Sequence, residues 1–166
     1  GLIDGASTRV AAGTVNNVGT GRIYGDHVAI EAKTLNNLAE TIDGQTHSAT
    51  IAARSRLDIG AKEINNRDGS LIYSDGELFI GGKLDEQGRA VEMANALNNR
   101  GARIESAGNM GIAAAVLDNV SEGISWELQP GDPTRVVQYS VPGDPKRYDA
   151  SDVLFISGCL QFLAQR

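Results

Sequence analysis

Apolar residues recur along the chain at fixed distances from a repeated Asn-Asn dipeptide. The dipeptide begins at residues 16, 36, 65 and 98, and an Asp-Asn variant begins at residue 118, so the spacings are 20, 29, 33 and 20. When the chain is aligned on these pairs, mostly apolar residues fall into columns two positions apart, the pattern of a strand with one buried face. The columns are Thr8, Val28, Leu57, Leu78 and Met110; Val10, Ile30, Ile59, Ile80 and Ile112; and Ala12, Ala32, Ala61, Gly82 and Ala114.

A repeat of this length cannot bury its own apolar face, whereas stacked copies can, because each strand pairs with its equivalent in the next copy. We therefore predict an all-β fold, a right-handed parallel β-helix (solenoid) of about 20-residue rungs. Leucine-rich repeats have a similar length, but their strand motif and helix are missing here. The side chains of Ile30, Ile59, Ile80 and Ile112 should point into one core.

The asparagine pairs have two predicted roles. Asn tolerates the left-handed backbone of a sharp turn, so we expect the pairs to lie at turns. The side-chain amide also donates and accepts hydrogen bonds, so stacked copies can bond to each other or to turn backbone. Asp118 should interrupt such a column, because an ionised carboxylate cannot donate.

The two longer spacings predict insertions near residues 45–55 and 83–94. We expect the first to add strand beside the repeats and the second to form a charged loop. All four prolines lie at residues 130–145, in two copies of Pro-Gly-Asp-Pro, and proline is excluded from central ladders. Residues 1–120 should therefore form the repeats. Residues 121–166 should form a Pro/Gly-rich β extension that covers or leaves the β-helix, with Trp126 and Tyr139 over the open rung. For the apolar residues within 153–163 the sequence does not distinguish a β-strand from an α-helix.

Composition excludes several classes of function. The net charge of the 166 residues is −6 and Lys and Arg are scattered singly, so no basic stripe indicates nucleic acid. No apolar run approaches the length of a membrane span. The single cysteine, Cys159, excludes an intrachain disulfide framework. With neither a nearby His nor a glycine-rich elbow, we interpret Cys159 as a packed residue and not as a nucleophile.

Candidate catalytic and metal-binding residues are few. Glycan-cleaving enzymes place two carboxylates about 5–10 Å apart. The outward columns supply only Glu31 and Asp58, at different positions and with no Lys or Arg beside them in the column. His27 and His47 lack a second ligand at a usable spacing. We predict no catalytic, metal or cofactor site, and interpret the Asp-Gly pairs at residues 43–44 and 75–76 as turns and not as calcium loops.

Four motifs of the repeats resemble a known family. They are Leu-Asn-Asn at residues 35–37, Gly-Arg-Ile-Tyr-Gly-Asp-His at 21–27, Ala-Ala-Arg-Ser-Arg-Leu-Asp-Ile-Gly-Ala at 52–61 and Ile-Asn-Asn-Arg at 64–67. Together they resemble the haemagglutinin repeats of filamentous-haemagglutinin-like exoproteins, which are exported by two-partner secretion. The resemblance covers about residues 1–122 and is closest to the second haemagglutinin-repeat region of CdiA-type contact-dependent growth inhibition proteins.

The resemblance implies a non-catalytic function. The chain would be a structural stalk or translocation module of a large secreted protein at the bacterial cell surface that delivers a C-terminal toxin to neighbouring bacteria. The implied partners are an outer-membrane two-partner-secretion transporter, for the parent protein, and the outer membrane of the target cell or its proteins. The alternatives are an adhesin stalk of a filamentous haemagglutinin and, less favoured, a β-helical polysaccharide-degrading enzyme. Because the chain begins within a repeat, we interpret it as a fragment and expect self-association through its open strand edge.

Overall fold

The computed structural model describes residues 1–122, 137–140, 142–143, 145–156 and 159–162. Backbone contacts divide the chain into two units, Gly1–Ser125 and Trp126–Arg166, which are described separately. The strands of the first unit are β1 (Leu2–Val18), β2 (Arg22–Leu38), β3 (Glu40–Ile42), β4 (Gln45–His47), β5 (Thr50–Arg67), β6 (Leu71–Ser74), β7 (Glu77–Gly81), β8 (Lys83–Leu84), β9 (Ala90–Val91), β10 (Ala94–Arg100), β11 (Arg103–Ser106), β12 (Met110–Ile112) and β13 (Ala114–Val120).

Most of these strands form one large parallel sheet in which each strand pairs with its equivalent in the neighbouring repeat. The strand order in the sheet is β1, β2, β5, β10 and β13. Two shorter strands also pair with β5: β6 pairs with β5 and β11, and β7 pairs with β5 and β12. Five repeats are therefore stacked in sequence order. The asparagine pairs face each other in register at every step, which confirms the alignment on these pairs. The predicted all-β fold with parallel pairing is confirmed.

The second repeat shows how one long strand covers the core. Apart from Ala29, the buried positions of β2 are 23 and 25, then 28, 30 and 32, then 35 and 37, so the alternation shifts phase twice. Ladder pairing with both neighbouring repeats is interrupted at Asp26 and at Lys33, close to the two shifts. Side chains of a strand alternate between its two sides, so a phase shift lets the backbone turn while the apolar side chains stay on one side. Each repeat therefore presents three short apolar faces.

Equivalent apolar residues stack into one core. Ile30 and Ile59 are fully buried, Ile80 is 2 % exposed and Ile112, in the fifth repeat, is 38 % exposed. The four residues pair in register, which confirms the predicted column. The other two faces contribute the columns Ile23, Ile51, Ile72 and Ile104, and Val15, Leu35, Ile64, Leu97 and Leu117.

The third predicted column is wrong at one position. Ala12, Ala32 and Ala61 pair as expected, but Ala114 pairs with Ala94 and not with Gly82. Inserted residues separate Gly81, the last residue of β7, from Ala94, the first residue of β10. The fourth repeat therefore resumes at Ala94, which is buried in the core.

Both insertions form antiparallel hairpins, of β3 with β4 and of β8 with β9. The second hairpin lies within the predicted residues 83–94. The predicted bounds of the first insertion, 45–55, are wrong, because residues 51 and 53 pair with residues 23 and 25 in the main ladder. The inserted residues lie instead at 39–49. A register shift between Gly25 and His27 accommodates a further extra residue in β5.

The described part of the second unit contains two antiparallel hairpins. β14 (Gln138–Tyr139) pairs with β15 (Tyr148–Asp149), and β16 (Val153–Ile156) pairs with β17 (Cys159–Phe162). A short 3-10 helix, Ala150–Asp152, precedes β16. The segment at 153–163, for which the sequence left strand and helix open, is thus a strand pair where it is described. Trp126 lies outside the described residues, and its covering of the open rung stays a prediction.

Candidate functional site

The second asparagine of each pair forms a continuous hydrogen-bonded column inside the repeats. The Nδ2 atom of each donates to the Oδ1 atom of its equivalent in the next repeat, at 2.8 Å in all four steps. The side chains of the first four repeats are between 0 and 7 % exposed. We call this column the inner ladder; it consists of Asn17, Asn37, Asn66, Asn99 and Asn119.

The inner-ladder amides also bond to backbone. Each of three donates a second time to a carbonyl oxygen at the start of the first face of a later repeat, at 2.9–3.1 Å. The pairs are Asn17 with Thr50, Asn37 with Leu71, and Asn66 with Arg103. In Asn37 and Asn66 both amide hydrogens and the amide oxygen have partners, so burial of these side chains leaves no donor unpaired. The ladder thereby ties the end of one face to the beginning of the next.

The first asparagine of each pair forms a second column with the opposite polarity, the outer ladder. Here the donor belongs to the later repeat, with distances of 2.8, 2.8 and 3.0 Å. The donations run from Asn36 to Asn16, from Asn65 to Asn36 and from Asn98 to Asn65. Asp118 has no hydrogen to pass on and instead accepts one from Arg100 at 3.2 Å. Asp118 therefore ends the outer ladder, as predicted.

The predicted placement of the asparagine pairs at turns is wrong. The pairs lie within strands, and none of these described asparagines has a positive φ. The left-handed positions follow the strands, at Gly19, Asp68, Gly69 and Gly101, with φ between 56° and 80°. The predicted stacking of amides, to each other and to backbone, is confirmed. Asparagine is therefore used here for its donor and acceptor groups and not for its backbone tolerance.

A second group of polar side chains surrounds one buried carboxylate. Asp58 in β5 is 0 % exposed. Its oxygens accept hydrogen bonds from Nε and Nη2 of Arg56, at 2.6 and 3.1 Å, and from the backbone N–H of Ala90, at 3.0 Å. Nε2 of His27 lies 3.3 Å from Oδ2 of Asp58, and Arg56 also pairs with Glu77. We call His27, Arg56, Asp58 and Glu77 the Asp58 cluster.

Arg56 neutralises this carboxylate. Its side chain is 18 % exposed, and its guanidinium carbon lies 4.4 Å from the centroid of the Phe79 ring. Burial, the largest single influence, lowers the pKa of Arg56. The hydrogen bonds and charges of Asp58 and Glu77 together outweigh burial, so the pKa is raised. The guanidinium therefore stays charged, and the bidentate pair compensates the burial of Asp58.

The hairpin of β8 and β9 lies against the sheet beside this cluster. A Cβ atom on Gly60 would collide with the backbone of Lys83 and Leu84, and one on Gly81 would lie 2.7 Å from the carbonyl oxygen of Val91. Both glycines are therefore needed for the close approach of the hairpin. Asp58 lies on the outward side of β5, opposite the core residues Leu57 and Ile59, but this side is not exposed, because the hairpin covers it and donates the Ala90 N–H to Asp58.

In the ladder the column neighbours of Asp58 are Ala29 and Phe79, so no Lys or Arg lies beside it in its column, but a basic residue lies beside it along its own strand. Arg56 precedes Asp58 by two residues, and residues two apart in a strand share a side, so this spacing was a usable signal. Glu77 pairs with Arg56 in the ladder and could have been found from the same register. The second acid, Glu31, lies 3.9 Å from Arg9 and is not a member of the Asp58 cluster.

The other sequence candidates lie apart from these groups. Asp43 and Gly44 form the turn of the first hairpin with φ of 51° and 76°, as predicted; residues 75–76 join β6 to β7, His47 ends β4 and Cys159 begins β17. Within the described ranges, no three His, Cys, Asp or Glu side chains are grouped so that they could hold a metal ion. Among the residues that the structure describes, no helix has the length and apolar character to cross a membrane.

Comparison of the chain with protein-family models, with curated proteins and with solved structures found no match of any of the three kinds.

Proposed function

We propose that residues 1–120 form a right-handed parallel β-helix that serves as a structural stalk or translocation module. The parent would be a large secreted exoprotein at the bacterial cell surface that delivers a C-terminal toxin to neighbouring bacteria. Three apolar faces per repeat, each paired in parallel with its equivalent, support a chain that coils around one core. Parallel crossover connections are right-handed in about 98 % of cases, which supports the handedness.

The inner ladder is the observation that carries this proposal. Every repeat offers the next repeat the same amide donor in the same place, at the same 2.8 Å distance. An arrangement of this kind can be extended by any number of repeats, because each repeat needs only its neighbours. Length is the property that such a design supplies, and length is what a stalk between two cells requires.

The use of the acidic side chains supports a non-catalytic role over the polysaccharide-degrading alternative. Glycan hydrolysis needs two carboxylates that reach the substrate, about 5–10 Å apart. Asp58 is buried and accepts hydrogen bonds from Arg56 and Ala90, while Glu31 lies beside Arg9. Release of reducing sugar from a polysaccharide by this chain, if lost in Glu31→Gln, would support the polysaccharide-degrading alternative.

Deletion of the repeats from the parent protein tests the delivery role. We expect deletion of residues 1–120 to leave attachment of producing cells to target cells unchanged and to abolish growth inhibition of the targets. A matched control is deletion of residues 18–37, one whole 20-residue repeat, which joins Asn17 to Leu38 and keeps the ladders in register. This shorter stalk should still deliver. Loss of attachment on deletion of residues 1–120 would instead favour the adhesin stalk.

A further inference from the structure

Two tyrosines on the first face of the repeats flank an alanine in one column. Tyr24 in β2 pairs with Ala52 in β5, and Ala52 pairs with Tyr73 in β6. The three residues are partly exposed and line a surface cavity of about 320 Å³. Cavities that bind small molecules have volumes of about 300–1,000 Å³. We call this cavity the tyrosine slot.

The spacing of the two tyrosines selects the thickness of an occupant. Neighbouring strands lie about 4.8 Å apart, so residues two strands apart are separated by about 9.5 Å at the backbone. A flat aromatic ring held between two others at carbon contacts of about 3.5–4.0 Å would need only about 7–8 Å. A pyranose ring is thicker, because its axial C–H bonds stand above and below the ring. Its two apolar faces can therefore contact both tyrosines, with the Ala52 methyl group as the floor.

Polar groups along one side of the slot suit sugar hydroxyls. Nη1 of Arg54 donates to Asp26 at 2.7 Å, and the hydroxyl of Tyr73 donates to Asp75 at 3.0 Å. The hydrogen bond to Asp75 is the largest of the influences that raise the pKa of Tyr73, so this phenol stays protonated. Carboxylates and guanidinium groups have further lone pairs and N–H groups to offer. Because these side chains already hold one another, little ordering is needed when a ligand binds.

The charge around the slot disfavours an anionic occupant. Asp4 precedes and Glu105 follows the two tyrosines in the same column. Asp75 and Arg54 line the slot, and Asp26 lies next to it through its hydrogen bond with Arg54. An excess of negative charge repels phosphate, nucleic acid and acidic sugars. A neutral sugar fits both the spacing and the charge.

We infer that the tyrosine slot binds one neutral hexopyranose unit of a cell-surface glycan. The sugar ring lies between Tyr24 and Tyr73 over Ala52, and its hydroxyls bond to the Asp26–Arg54 pair and to Asp75. This inference goes beyond the stalk function and is independent of it, because it concerns binding by the isolated chain. Its outcome therefore does not depend on whether the parent protein delivers a toxin.

Binding of the full chain to immobilised cellohexaose, mannohexaose and chitohexaose tests the inference. We expect measurable binding to at least one of these neutral oligosaccharides. Ala52→Leu fills the slot and Tyr24→Ala removes one wall, so each should weaken binding at least about tenfold, whereas Tyr24→Phe keeps the ring and should bind within about twofold. Ala115→Leu, which adds the same side chain at an exposed alanine of β13, should bind like the unaltered chain.

The inference is overturned by absence of binding to all three oligosaccharides. It is equally overturned if folded Ala52→Leu and folded Tyr24→Ala bind as well as the unaltered chain. Binding of an aromatic peptide at the slot without binding of sugar would show a protein-recognition site and would also overturn it. If one variant does not fold, as judged by its far-UV circular dichroism, the other decides.

Discussion

The inner ladder and the Asp58 cluster are both buried polar arrangements in the same sheet, but they solve the problem of burial differently. In the ladder, one kind of neutral side chain repeats at identical spacing through five repeats. In the cluster, two side chains, Arg56 and His27, and one backbone N–H surround a single carboxylate, and Glu77 pairs with Arg56. An amide both donates and accepts, so it can pass the same bond to the next repeat indefinitely. A buried carboxylate only accepts and must be neutralised where it lies.

The two arrangements also mark different parts of the chain. The ladder runs through all five repeats, including the step from Asn66 to Asn99 across the second insertion, whereas the cluster lies where the hairpin of β8 and β9 interrupts the fourth repeat. Asp58 accepts the N–H of Ala90, at the start of β9, so the charge connects the insertion to the sheet. The comparison teaches that regular repetition is maintained by neutral groups, and that a local departure from it is held by charge.

The largest expected effect is that of a charge placed in the inner ladder. In Asn66→Asp, a carboxylate oxygen would replace the Nδ2 atom that now donates to Asn99 and to the Arg103 carbonyl, at 2.8 and 2.9 Å. Two acceptors would then face a buried, unpaired charge, and we expect a loss of about 3–5 kcal/mol in the free energy of unfolding. Urea denaturation measures this loss.

The matched control is Asn65→Asp, one residue earlier in the outer ladder. Asn65 is only half-buried, so water can solvate the new charge, and we expect a loss below about 1 kcal/mol. In Asn66→Asp, stability should recover at acid pH, because a protonated carboxylic acid can donate one hydrogen bond. Equal losses in the two variants would mean that burial does not distinguish the ladders.

The next effect concerns the Asp58 cluster. Asp58→Asn removes the charge that Arg56 and Ala90 contact and should cost about 1.5–3 kcal/mol, the range for hydrogen bonds to charged groups. The loss should be smaller than in Asn66→Asp, because Arg56 keeps Glu77 as a partner. Hydrogen exchange should also show faster exchange at the Ala90 amide.

Glu77→Gln serves as the control for this prediction. It removes the more exposed carboxylate of the cluster, which makes no contact with the hairpin among the bonds of the described residues. We expect a loss of at most about 1 kcal/mol in the free energy of unfolding, and unchanged hydrogen exchange at the Ala90 amide. Slow exchange at Ala90 in Asp58→Asn would show that the hairpin is held by other contacts.

The register of the repeats could be predicted from the sequence because it depends on equivalent residues at equal spacing. Ile30 and Ile59 recur at one distance from the asparagine pairs, and a strand places residues two apart on one side. The end of the second insertion could not be predicted, because Gly82 and Ala94 are both small and either fits the column. Only the pairing of Ala94 with Ala114 decides between them.

The Asp58 cluster was less accessible to prediction. The proximity of Arg56 to Asp58 follows from strand alternation, but the burial of Asp58 depends on the hairpin, which is distant in the sequence. Gly60 and Gly81 have a visible role only when the hairpin backbone lies against them. In the sequence alone, the two glycines indicate an exposed side of the sheet without large side chains. Tertiary contacts of an insertion are not encoded in the period of the repeats.

The smallest expected effect concerns the exposed ion pairs that hold the same hairpin. Nζ of Lys83 lies 2.6 Å from Glu92 and that of Lys62 lies 3.6 Å from it. The hydrogen bond from Lys83, the largest influence, and the charges of both lysines lower the pKa of Glu92, against the opposing effect of burial. Because the pKa of Glu92 is lowered in the folded state, the stabilisation of the hairpin by these ion pairs is complete at pH values above the ordinary pKa of a glutamate. It is lost as the pH falls through the lowered pKa.

We therefore expect exchange at the β8 and β9 amides, corrected for intrinsic rates, to become faster at acid pH. Glu92→Gln should remove this dependence on pH. The midpoint of global unfolding should not change measurably, because exposed pairs contribute little. Glu86→Gln, which removes an exposed carboxylate from the tip of the same hairpin, is the control and should keep the dependence. A dependence that survives in Glu92→Gln but disappears in Asp58→Asn would assign it to the buried carboxylate. The hairpin would then be held to the sheet by the Asp58 cluster alone.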